Sequence, residues 1–152
     1  MIINKIKPHA QEPSIPSEGS IFFDIKACLD ENEPVFCYNS LNKKVKVPIK
    51  KFNNTPSIQI YPQQKILIPT GLSFNVPEGY IVKLYTNYNT SLNKGIRLIN
   101  GIQVIEPGDN NHLEIALESS TEAVSLLQNE DIIASGCIEK TFHFVDVKPI
   151  DE

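Results

Sequence analysis

The chain carries 14 basic residues against 18 acidic ones, and arginine occurs among them once, as Arg97. Arginine is the side chain that grips a carboxylate or phosphate with two parallel hydrogen bonds. Anion-binding chemistry here therefore has to run on lysines, hydroxyls and backbone amides. Ile, Lys and Asn are abundant, so an AT-biased coding sequence also accounts for the missing guanidinium groups, but the chemistry is missing whatever the cause. Arg97 itself reads as a surface or interface charge. The three cysteines, Cys28, Cys37 and Cys137, form no CxxC pair. They read as buried free thiols in a reducing compartment, and Cys28 and Cys37 can pair only if the fold brings them together. His9, His112 and His143 are scattered, which gives no zinc-ligand spacing.

The elements that must position such groups fit one domain, residues 1–152. Hydrophobic residues make up 41% and charged residues 21%, which excludes a disordered chain, a coiled coil and a collagen-like chain. The net charge of −4 carries no general electrostatic footprint for nucleic acid. No apolar run approaches the roughly 20 residues that span a bilayer, and the start, MIINKIKPHAQEPSIP, lacks the apolar stretch of a signal peptide.

Eleven prolines and seven glycines punctuate short apolar runs, a pattern of many short strands and few helices. Residues 20–29, 33–38, 43–49 and 63–69 read as strands, with a turn at Asn39–Asn42. Leu72, Phe74 and Val76 alternate with polar residues. Pro77-Glu78-Gly79 then turns the chain, with Pro77 at the second turn position, into a hairpin partner over 80–85. Residues 87–94 are polar and form a loop or one short helix. Residues 95–100 and 102–105 are short strands. Pro107 to Asn111 is the strongest turn signal, and Leu113, Ile115 and Leu117 then alternate with Glu114, Ala116 and Glu118. Residues 131–138 and 141–147 supply two more strands. About ten short strands predict an all-β barrel or jelly-roll.

Several segments, in order, resemble the dUTP diphosphatase family and its dCTP deaminase branch. Residues 16–27 are similar to the first motif, with Asp24 in the place of its aspartate. Residues 68–80, Ile-Pro-Thr-Gly-Leu-Ser-Phe-Asn-Val-Pro-Glu-Gly-Tyr, resemble the scaffold hairpin. Residues 86–95 lie at the second motif, 100–114 at the third, and Asp131-Ile132-Ile133-Ala134 resembles the fourth. The resemblance implies a homotrimer of β-barrel or jelly-roll subunits with active sites at the subunit interfaces.

It also implies site residues. Glu106 takes the place of the water-activating aspartate, one methylene longer; read by itself, it is a solvated Glu beside a turn. Asn87 stands for the phosphate-gripping arginine, with Tyr88 and Asn89 after it. Thr90 and Ser91 offer hydroxyls. Asp109 replaces the tyrosine that packs beneath the sugar. Asp24 is the candidate Mg²⁺ contact. Ser135 stands where the fourth motif has glutamine, and the fifth motif has no counterpart.

These departures fall on the chemical groups and spare the scaffold. The expectation is therefore a barrel with a dismantled active site, a pseudoenzyme without a cofactor, such as a capsid-decorating trimer of phage or viral origin, in the virion or cytoplasm. Its partners would be a second virion protein and its own copies, with no nucleic acid and no membrane. The alternative is a divergent dUTP diphosphatase using Glu106, Mg²⁺ and Lys94 or Lys83. A dUTP-binding regulator, or a deaminase using Glu114, are minor readings.

Overall fold

The computed structural model describes residues 1–142 and 147–151. Its strands are β1 (Ile2–Lys5), β2 (Phe23–Lys26), β3 (Val35–Tyr38), β4 (Lys44–Val47), β5 (Lys50–Phe52), β6 (Thr55–Ile60), β7 (Lys65–Pro69), β8 (Leu72–Asn75) and β9 (Tyr80–Tyr85). The helix α1 (Tyr88–Lys94) follows, then β10 (Ile96–Leu98), β11 (Ile102–Ile105), β12 (Glu114–Ser119), β13 (Ser125–Gln128) and β14 (Ile132–Lys140). The all-β expectation holds, with one short helix. Sheet neighbours run β10-β12-β7-β3-β4, β11-β9-β14-β2, β13-β6-β5 and β1-β8, all antiparallel.

Period-two patterning builds the core. Leu113, Ile115 and Leu117 are buried along β12, while Glu114 is exposed on the other face. Ile66 and Ile68 of β7, Ile25 of β2, Leu72 and Phe74 of β8, and Val82 and Leu84 of β9 join them in one apolar cluster. The turn between β3 and β4 rests on Asn39, whose Oδ1 accepts the N–H groups of Leu41 and Lys43, with Asn42 at φ 57°.

The structure corrects several expectations. β8 and β9 are not hairpin partners. The N-terminal strand β1, which the sequence pattern did not reveal, takes the edge of β8, and β9 pairs with β11 and β14 instead. The turn between β8 and β9 closes through the Tyr80 N–H donating to the Pro77 carbonyl at 3.2 Å, so Pro77 is its first residue and Gly79, at φ 84°, its third. The strand expected over 20–29 contracts to β2. β5, β6 and β13 were also not foreseen. The strand expected over 141–147 falls largely outside the described residues. Cys28, Cys37 and Cys137 are all buried and unbridged, and burial pushes each thiol above its ordinary pKa.

Candidate active site

The polar sequence Asn-Tyr-Asn-Thr-Ser-Leu-Asn-Lys makes a helix because its ends are capped, since it buries no residue of its own. Asn87, in extended conformation, accepts the Thr90 N–H on Oδ1 at 3.0 Å. Gly95 ends the helix at φ 65° and donates its N–H to the Ser91 carbonyl at 2.9 Å. These caps set the start of α1 beside β14, where Thr90 and Asn87 make their bonds.

Three groups from distant parts of the sequence meet there. Asn87 donates Nδ2–H to Ser135 Oγ at 2.9 Å, and Ser135 donates to Asp24 Oδ1 at 3.2 Å. Thr90 Oγ1 lies 3.1 Å from Asn87 Oδ1 and 2.7 Å from the Ile132 carbonyl, to which it donates. Ser135 and Asp24 are cross-strand partners in β14 and β2, so their side chains share a face. Asp24 is a buried carboxylate with 9% of its surface exposed.

Ser135 links Asp24 to Asn87, and Asp24, Asn87 and Thr90 line a recess of about 360 Å³ together with Lys26, Lys94, Glu130 and Asp131. Its three carboxylates (Asp24, Glu130, Asp131) exceed its two ammonium groups (Lys26, Lys94) by one negative charge. Such a recess disfavours a bare polyphosphate more strongly than one whose charge a divalent cation has already reduced. Among the described residues no three His, Cys, Asp or Glu side chains cluster as a metal cage. Mg²⁺ needs no cage, since one or two carboxylates plus substrate phosphates hold it, and Asp24 fits that pattern.

The recess brings together Asp24, Asn87 and Thr90 of the sequence-predicted residues. It excludes three others. Ser91 lines a separate, hydroxyl-rich recess with Ser120, Thr121 and Ser125. Glu106 is exposed, in a turn closed by the Asp109 N–H donating to its carbonyl at 3.1 Å, with Gly108 at φ 88°. Asp109 lines a recess of about 260 Å³ with Phe74, Gln103, His112 and Glu114.

The separation follows from the sheet order. β2, which carries Asp24, and β11, which leads to Glu106, are opposite edges of one sheet with β14 and β9 between them. Three strand spacings, about 14 Å measured along the sheet, separate these two strands. Asp24 and Glu106 therefore stand at opposite edges of this sheet within one protomer.

Neither lysine proposed as an arginine substitute stands alone. Lys83 Nζ lies 2.9 Å from Glu139, whose carboxylate raises its pKa, and Lys94 Nζ lies 2.6 Å from Asp131. Arg97 is exposed, as expected, with Nε donating to Glu118 Oε1 at 3.1 Å. Sequence reasoning missed Lys26 as a lining cation and treated Ser135 only as a lost glutamine. Its one signal was a hydroxyl directly after the Asp131–Ala134 motif.

No family model matches the chain. It is similar to deoxyuridine 5'-triphosphate nucleotidohydrolases: that of Helicobacter pylori (22% identical over 152 residues, 99% of this chain and 86% of the relative) and that of Chlamydia caviae (27% over 137 residues, 90% and 76%). Among solved structures it superposes on the dUTPase of Streptococcus mutans (TM-score 0.68, 14% identical, covering 95% of this chain and 98% of that one). It also superposes on the dUTPase of phage phi11 of S. aureus (TM-score 0.66, 15% identical, 99% and 96%). The fold is that of the dUTPases. The sequence relatives overturn the expectation of a non-catalytic capsid-decorating trimer. Relatives matched along most of the chain are dUTP nucleotidohydrolases, not structural or virion proteins.

Proposed function

We propose that this chain is a divergent dUTP diphosphatase that hydrolyses dUTP, taken as its Mg²⁺ chelate, to dUMP and pyrophosphate. What carries the reading is its similarity, over 99% of its length, to a dUTP nucleotidohydrolase. The Asp24–Ser135–Asn87 network supports it by linking two motif positions of the recess, Asp24 and Asn87, through a third. Because Glu106 stands on the opposite sheet edge, each site is completed between protomers, in keeping with a homotrimer.

In this reading Glu106 removes a proton from water as its oxygen attacks the α-phosphorus. The Pα–O–Pβ bond breaks and pyrophosphate leaves with the bonding pair. Asp24 faces the substrate's Mg²⁺, and its hydrogen bond from Ser135 fixes the carboxylate. Lys26 supplies positive charge, and Asn87 and Thr90 shape the rim without a guanidinium fork.

The test is pyrophosphate release from dUTP with Mg²⁺. Turnover is expected, with Glu106→Gln slowing it about a hundredfold or more, the usual worth of a general base. No release from wild-type protein, or release untouched by Glu106→Gln, overturns the reading.

A further inference from the structure

Five of the chain's 13 lysines fall within residues 43–51, in a molecule whose net charge is −4. The sheet register places the relevant ones around aromatic rings. Tyr38 in β3 is opposite Lys44 in β4 on one side and Lys65 in β7 on the other, and Phe36 is opposite Lys46. Directly opposed residues share a face, and so do residues two apart on one strand. Phe36, Tyr38, Lys44, Lys46 and Lys65 therefore stand together on the outer face, while Val35 and Cys37 point into the core. Phe36 is exposed, with Lys44 Nζ 4.5 Å and Lys46 Nζ 5.8 Å from its ring centroid.

Two simpler readings fail. Lysines on an edge strand block sheet-to-sheet aggregation, and β4 is an edge. That accounts for Lys44 and Lys46, but not for Lys65 two strands inward or for exposed Phe36 on the interior strand β3. Nor does the acid opposite Lys65 across the ladder cancel the charge, because Glu118 is held by Arg97. Glu33, just before β3, is bonded to Lys7, and with Asp30 and Glu114 it lines a recess on the other side of Phe36 that bounds the basic face.

We infer that this outer face of β7-β3-β4 binds single-stranded nucleic acid, its lysines meeting phosphates and its two rings meeting bases. Every base offers a π-face, so the contact is independent of sequence. A duplex fits poorly, since the flat sheet presents no helix or ribbon to a groove. An acidic peptide would use the lysines but leave the rings without a stacking partner.

A fluorescein-labelled deoxyadenylate 12-mer, titrated by anisotropy at low salt, tests the inference apart from any dUTP site. Saturable binding is expected, with a slope of log K against log salt near −2, for about three phosphate contacts at 0.7 each. The Lys44→Glu/Lys46→Glu variant should weaken it about tenfold or more, and Phe36→Ala about fivefold or more. Lys140→Glu, on β14, should leave it unchanged, with circular dichroism melts confirming that each variant is folded. No anisotropy rise up to about 100 μM protein, the weak end of non-specific binding, would overturn the inference. Equal competition by polyglutamate together with a silent Phe36→Ala would also overturn it, because it would make the face a plain charge sink.

Discussion

Lys94 Nζ lies 2.6 Å from Asp131 Oδ2, and that same oxygen accepts the Gln128 N–H at 2.8 Å. Lys94 also donates to the Leu126 carbonyl at 3.1 Å. The pair joins the last turn of α1, where the helix dipole favours a cation, to the turn that launches β14. It thereby ties the end of the helix to one wall of the recess, where both side chains also lie.

Asp131→Asn should cost about 1–2 kcal/mol, the range for a hydrogen bond to a charged group discounted for partial exposure. Lys94→Met should cost a similar amount. Because the two side chains act on each other, the double variant should lose clearly less than the sum of the singles, as read from urea midpoints. Full additivity would show that they do not cooperate.

Gly71 and Gly101 both have positive φ, 69° and 77°, but different surroundings. A Cβ on Gly71 would fall 2.6 Å from Ala10 Cβ and 3.1 Å from Cys28 Sγ, and neither short side chain can swing away. A Cβ on Gly101 would meet nothing within 4 Å. Gly71→Ala should therefore cost about 2–4 kcal/mol, conformation plus clash, and Gly101→Ala only about 1–2 kcal/mol. Denaturation of both variants checks the difference, and equal losses would refute the steric account.

What the sequence made legible was local. The alternation of Leu113, Ile115 and Leu117 gave β12, and Pro107-Gly108 gave a turn, because each depends only on near neighbours. The pairing of Ile3 with Phe74 joins residues 71 positions apart and leaves no mark in either segment's pattern. The Asp24–Ser135–Asn87 network likewise spans 111 and 48 positions. Lys94 looked available as a phosphate grip because an ion pair to Asp131 is invisible in one dimension. The functional expectation failed for a related reason: each motif position was weighed alone, whereas the relationship to dUTP nucleotidohydrolases is spread along the chain.

His112 accepts the Gly71 N–H on Nε2 at 3.0 Å, which requires the neutral ring. Burial and then Lys7 lower its pKa below the ordinary 6.5. The unfolded chain thus binds this proton more readily than the folded one. The His112 contribution is complete above about pH 6.5 and is lost as pH falls through the folded-state value. Urea midpoints should drop between pH 7.5 and 5.5, and His112→Gln, which keeps an acceptor without a titrating ring, should flatten that drop. An unchanged pH profile in His112→Gln would assign the effect to other groups.

The distance between Asp24 and Glu106 makes a stoichiometric prediction. If each site takes Asp24 from one protomer and Glu106 from another, Asp24→Asn and Glu106→Gln are both inactive alone yet complement each other. In assemblies mixed at random from equal amounts, each site draws its Asp24 from an unaltered protomer half the time and its Glu106 half the time. About a quarter of the sites are then intact, given a closed symmetric assembly with one site per interface. Co-refolded mixtures should therefore recover about a quarter of wild-type pyrophosphate release from dUTP. If both carboxylates served a site within one chain, every chain in the mixture would carry a defect and nothing would be recovered. Recovered activity would establish a site shared between protomers, as the placement of the two carboxylates on opposite sheet edges leads one to expect.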